Sequence, residues 1–109
     1  MSVIMTMWAQ ADPNALEKYA ADNPGALRAI TDRAVKHGLI AHRFYGSGGQ
    51  ILVVDEWPDQ ESFENFWNES QSEIGPVMQA IGVTAQPGVN FWRELKTGDD
   101  YGWEESRGR

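Results

Sequence analysis

Apolar positions change their period along this chain, and the changes mark the elements. Residues 2–9 (SVIMTMWA) are apolar almost throughout, the pattern of a strand covered on both faces. The spacing then becomes helical. Asp12-Pro13 supplies an N-cap and a first-turn proline, followed by Leu16, Tyr19 and Ala20 on one stripe. Asn23-Pro24-Gly25 interrupts the run, and Asn23 is expected to cap a second helix whose first position is Pro24. Leu27, Ile30 and Ala34 form the buried stripe of that helix, and Gly38 closes it just past Lys36 and His37. His37, at a helix C-terminus, reads as a residue that compensates the helix dipole.

Residues 39–46 (LIAHRFYG) and 50–57 (QILVVDEW) read as strands joined through Ser47-Gly48-Gly49, where glycine provides the positive φ of a tight hairpin. Pro58 has no N–H to give and ends the ladder. Asp59 caps the next helix, with Phe63, Phe66 and Trp67 at i, i+3 and i+4 on one face. A separate helical piece is expected over residues 72–81, with Ile74, Val77, Met78 and Ile81 inward and Gly82 at its end. Gln86-Pro87-Gly88-Val89 has the residues of a type II turn, and residues 88–95 (GVNFWREL) form the last strand.

The order β-α-β-β-α-β is the split βαβ plan of ferredoxin-like α+β domains: a four-stranded antiparallel sheet with the helices on one face. The domain is expected over residues 1–95, and residues 96–109 form a polar tail, partly disordered. Tyr101 and Trp103 are large for a free tail and are expected to pack on the body or on a partner. Residues 2–9 and 51–54 are apolar on both faces. A lone domain of this plan leaves one sheet face wet, so the pattern asks for a cover.

Composition narrows the function classes. The 109 residues suit one domain, and the net charge of -7 argues against a phosphate backbone as partner. There is no cysteine, so disulfides, thiolate catalysis and cysteine-based zinc sites are excluded; the usage fits the cytoplasm. No segment has the length and apolarity of a membrane span. The chain lacks a phosphate-binding glycine loop, a G-x-S-x-G elbow and an H-E-x-x-H pair. With two histidines on different elements, no metal site is expected.

Candidate chemistry sits in the hairpin. If Gly48-Gly49 is a two-residue loop, Ser47 opposes Gln50, and the register runs inward to Phe44 with Val53 and His42 with Asp55. Directly opposed side chains share a face with Cβ atoms about 5 Å apart. One face then carries Ile40, His42, Phe44, Ile51, Val53, Asp55 and Trp57. The other carries Leu39, Ala41, Arg43, Tyr45, Leu52, Val54 and Glu56, with Arg43 diagonal to Glu56. Asp55 and Glu56 point to opposite faces, which argues against a glycosidase-type carboxylate pair. A carboxylate beside an imidazole fixes its tautomer and makes it a better base. Trp57, Phe63, Phe66, Trp67 and Trp92 are candidates for the walls of a substrate pocket around that base.

The element order, the size and the segment LVVDEWPDQESFENFW together resemble the dimeric α+β barrel superfamily, the group related to antibiotic-biosynthesis monooxygenases. The resemblance implies a homodimer whose two sheets face each other, with Arg43, Glu56 and Tyr45 at the interface, and a ligand pocket between sheet and helices. Haem-degrading relatives have a histidine ligand on the second helix. No histidine occurs from residue 59 to 95 here, and the position resembling their tryptophan is Phe66, so haem is not expected. The reading is therefore a small-molecule-binding protein of this superfamily: a monooxygenase that needs no cofactor and acts on an aromatic or polyketide-like substrate, with His42 as base and Asp55 orienting it. The alternative is a non-enzymatic ligand-binding or interaction module in which the same pair is structural. An isomerase or lyase using the pair without O₂ is a third reading.

Overall fold

The computed structural model describes residues 1–103. Strand β1 (Val3–Gln10) is followed by helices α1 (Pro13–Asp22) and α2 (Ala26–Lys36), the hairpin strands β2 (Ala41–Ser47) and β3 (Gln50–Trp57), helix α3 (Gln60–Ala80) and strand β4 (Gly88–Trp92). The sheet order is β2-β3-β1-β4 and every neighbouring pair is antiparallel. This is the expected ferredoxin-like α+β sheet, with three helices. The end of the expected tail disorder, residues 104–109, lies outside the described residues. No helix among the described residues is long and apolar enough to cross a membrane.

Local chemistry explains most boundaries. Asp12 accepts from Asn14 N at 2.9 Å with Pro13 in the first turn of α1. Asp59 accepts from Ser62 N at 2.8 Å and starts α3. Its carboxyl is held below the ordinary 3.8 by hydrogen bonds from the Ser62 side chain and backbone. Gly38, at φ +105°, gives α2 a left-handed exit: its N–H bonds Val35 O, and Leu39 N bonds Ala34 O at 3.0 Å. The β2–β3 loop has positive φ at Gly48 (+58°) and not at Gly49, the sign pattern of a type II′ hairpin turn.

Five expectations need correction. Gly88 does not take the positive φ of a type II turn and instead opens β4. Asn23 does not cap α2; it is the C-cap of α1, with its side chain on Tyr19 O, and Gly25 precedes α2 without a side-chain cap. The two helical pieces after Asp59 are one 21-residue helix. Pro76 lies inside it, and continuous packing of Phe63, Phe66, Ser70 and Val77 carries the helix through the missing N–H. Strand β2 begins at Ala41, so alternation does not reach Leu39 and Ile40: Leu39 packs on the core and Ile40 is exposed. Strand β4 ends at Trp92 rather than at residue 95. Trp92 pairs with Ile4 and β1 starts at Val3, so the ladder soon runs out of partner.

All three helices lie on the sheet face that carries Met5, Ile51, Val53, Asp55 and Trp57. The opposite face carries Ile4, Thr6, Trp8, Leu52, Val54, Glu56, Arg43, Tyr45 and Trp92, and no element among the described residues covers it.

Candidate functional site

The hairpin has the register that brings the candidate pair together. Ser47 opposes Gln50, Phe44 opposes Val53 and His42 opposes Asp55. His42 Nδ1 lies 2.7 Å from Asp55 Oδ1. The other carboxylate oxygen, Oδ2, accepts from the indole N–H of Trp57 at 3.1 Å. Trp57 is two residues along the same strand, so its side chain stands on the same face as Asp55. Asp55 is buried, 6% exposed, and Trp57 is wholly buried. A buried carboxylate needs such partners, and both donors here are neutral or ring N–H groups aimed at separate oxygens. An ionised carboxylate only accepts, so in this contact Nδ1 carries the proton, and in the neutral imidazole that leaves the lone pair on Nε2. The Phe44 ring stands edge-on to the imidazole at 4.9 Å.

His42 and Asp55 belong to the wall of a cavity of ≈ 140 Å³ between sheet and helices. Met5, Met7 and Val53 line it from the sheet, Leu27, Ile30 and Ala34 from α2, and Phe63, Phe66 and Trp67 from α3. Val83 and Pro87 close it from the loop before β4. Thr31 is the one hydroxyl-bearing side chain among the described residues of the wall, and no Lys or Arg among them lines it.

The five aromatics expected around the base fall in different places. Phe63, Phe66 and Trp67 line the cavity and also pack as core, with the Phe63 and Trp67 rings stacked at 5.7 Å. Trp57 is no wall: it sits behind Asp55 against Phe63 and Phe66, with its indole N–H on the carboxylate. Trp92 is no wall either. Its pairing with Ile4 puts it on the uncovered face, where its N–H donates to Thr6 Oγ1 at 2.8 Å. Arg43, Tyr45 and Glu56 share that uncovered face as expected, and Glu56 accepts from Ser2 Oγ. The methionines Met5, Met7 and Met78 were not foreseen as lining residues; their alternation and helical spacing read equally well as plain core.

A second polar cluster ties α2 to α3 on the outer side. Arg33 Nη1 meets Glu69 at 3.2 Å, Arg33 Nε meets Glu73 at 2.9 Å, and His37 Nε2 meets Glu69 at 3.3 Å. The His37 hydrogen bond, then Arg33, hold the Glu69 carboxyl below its ordinary 4.5. His37 therefore has a specific acidic partner beyond the helix dipole. Among the described residues no three carboxylate or imidazole side chains gather in a cluster suited to a metal ion.

No family model matches the sequence, and no curated protein is matched by it. Solved structures do match. A conserved protein from Methanosarcina mazei Go1 aligns at TM-score 0.64 and 15% identity, over 87% of this chain and 94% of that one. A dimeric ferredoxin-like protein from an uncultured marine organism aligns at 0.60 and 15%, over 87% and 89%. A monooxygenase of Streptomyces coelicolor, solved with nanaomycin D, aligns at 0.63 and 13%, over 88% of each chain. The chain shares the ferredoxin-like fold of these proteins. At these identities the likeness is one of fold, and in the α+β barrel proteins, as elsewhere, chemistry rests on the side chains of the site.

Proposed function

We propose that this protein takes a small, largely apolar molecule into the cavity and deprotonates it with His42, as a cofactor-independent monooxygenase acting on an aromatic or polyketide-like compound. The observation that carries this reading is the 2.7 Å contact of His42 Nδ1 with a buried carboxylate at the wall of an otherwise apolar cavity. Nε2 accepts the hydroxyl proton of a phenol or enol, and Asp55 offsets the charge that the imidazole gains. The substrate anion reduces O₂ and forms a carbon–oxygen bond at a carbon bearing hydrogen. Loss of water from the hydroperoxide leaves a carbonyl. One oxygen atom ends in that carbonyl and the other in water, together with the hydroxyl hydrogen and the hydrogen of the attacked carbon. The substrate supplies all four electrons. Neighbours of the same fold include a monooxygenase in complex with nanaomycin D, which agrees with this reading.

The functional unit in this reading is a homodimer closed through the uncovered sheet face. Trp8 and Trp92 each spend their indole N–H within the face, on Gln50 Oε1 and Thr6 Oγ1, and so offer only apolar rings outward. A neighbour of this fold is dimeric.

The test is O₂ uptake with anthrone and with substituted phenols. His42→Ala is expected to abolish uptake while ligand binding and the circular dichroism spectrum persist; retained uptake would overturn the base assignment. Asp55→Asn, whose amide both donates and accepts, is expected to release the Nδ1–H tautomer, read in imidazole ¹⁵N shifts. The close packing of Phe63 and Phe66 favours the second reading, a ligand-binding module, and that reading takes over if the wild type binds these compounds but consumes no O₂.

A further inference from the structure

The core of this domain is in two pieces. Met5, Ala34, Trp57, Phe63 and Phe66 form one cluster, and Ala11, Leu16 and Ile51 form the other. The cavity lies between them: Met5 and Phe66 wall it from the first cluster, Leu16 and Ile51 from the second. Protein interiors are close-packed, and an unfilled gap forfeits the contacts of every atom around it. A space of this kind is one that a ligand completes.

Its volume says how large that ligand is. An apolar cavity of about 150 Å³ takes up a single benzene ring. At ≈ 140 Å³ this one admits one ring with small substituents, and a fused three-ring skeleton would leave part of itself outside it. Its chemistry says what the ring carries. With no Lys or Arg among the described residues of the wall, none of these offsets the desolvation of a carboxylate or phosphate. Both oxygens of Asp55 are engaged, which leaves the imidazole as the polar contact on the sheet side. Met5, Met7 and Met78 offer unbranched thioethers that settle against a flat ring.

We propose that the ligand of this cavity is a neutral, monocyclic hydroxyarene or an enol of like size, whose ring bridges the two core clusters and whose hydroxyl meets His42. This rests on the reading of the cavity as the ligand site and narrows the substrate class within it. Four probes separate the elements of the assignment: 4-fluorophenol, fluorobenzene, 4-fluorobenzoate and anthrone, followed by ¹⁹F NMR and by amide shifts of the ¹⁵N-labelled chain. The expected result is saturable binding of 4-fluorophenol that moves amides of both clusters, such as Phe66 and Ile51, together with His42. Fluorobenzene binds the same site about tenfold more weakly for want of one hydrogen bond. Neither 4-fluorobenzoate nor anthrone displaces the phenol. Ala34→Leu, which fills the space from α2, loses phenol binding, and the amide map on the unaltered chain locates the site even if that variant fails to fold.

Anthrone bound at the same amides as tightly as the phenol overturns the one-ring assignment and leaves the proposed function standing. Equal binding of 4-fluorobenzoate overturns the neutral-ligand assignment in the same way. If no probe moves amides of either cluster, this inference and the reading of the cavity as a ligand site fall together.

Discussion

On the covered side of the sheet, Trp57 is wholly buried and its indole N–H is fixed on the Asp55 carboxylate. On the bare side, Trp8 and Trp92 are 40% and 53% exposed, and their N–H groups rest on the neutral side chains of Gln50 and Thr6. The same ring has two uses. In the core, the N–H steadies a charge that has lost its water, so the ring's polar edge matters as much as its bulk. On the bare face, the polar edge is satisfied at home, so that the apolar faces are free for a second surface. On the proposed reading, burial alone does not separate the site from the interface; what each polar edge is attached to does.

The largest effect should come from Trp57→Ala. Removing a fully buried aromatic costs about 3–5 kcal/mol, whereas Trp92→Ala at low protein concentration should stay within about 1 kcal/mol. Urea unfolding of both variants measures the contrast, and equal losses would break it. Next comes the bare face itself. Trp92→Asp places a charge among apolar rings and is expected to weaken self-association by about 2 kcal/mol or more, roughly thirtyfold. Light scattering should then show mass approaching the 12.2 kDa of one chain, with the fold intact. A wild type already at that mass would remove the interface role of this face.

Much of this was legible in local sequence. Two glycines set a two-residue loop, and from it the parity of the hairpin put His42 and Asp55 on one face. The i, i+2 rule also places Trp57 beside Asp55, so its attachment to the carboxylate was within reach of the same argument. Trp92 was not. Its face depends on the β1–β4 register, set by a pairing between the chain's two ends, and no turn near β4 encodes it. The start of β2 was hidden for a related reason. Leu39 is drawn to the core by the exit of α2 through Gly38, so an apolar residue that looked like strand belongs to the helix end. The gap between the two core clusters leaves no trace in periodicity, because its lining residues are the ones any core would use.

Two smaller effects sharpen the contrast further. Gly46 lies on the covered face opposite Ile51, and a Cβ there would stand 2.6 Å from Pro13 Cβ of α1. Gly46→Ala is therefore expected to cost about 1–3 kcal/mol, while Tyr45→Ala, one residue away on the bare face, leaves the isolated chain's unfolding midpoint nearly unchanged. The smallest effect is in the α2–α3 clasp. Because the folded Glu69 carboxyl is held below 4.5, its contribution is present above that pH and is lost as pH falls through the lower folded value. Thermal melts of Glu69→Gln and wild type should differ at neutral pH and converge in acid. Divergence that grows in acid would contradict the clasp.

The two-residue connection at Gly48-Gly49 also bears on how such a protein changes over generations. Strand parity is binary: a one-residue shift of β2 against β3 turns every β2 side chain to the other face. His42 would then leave Asp55 for the outer surface, and Arg43 would turn toward the helices. Point substitutions alter the lining of the cavity one side chain at a time. A single-residue insertion or deletion at this loop, if met by such a shift, exchanges an imidazole for a guanidinium in one event and at the same time rewrites the surface offered to a second chain. Loop length here is thus a heritable variable that sets together which side chains line the cavity and which lie on the outer face.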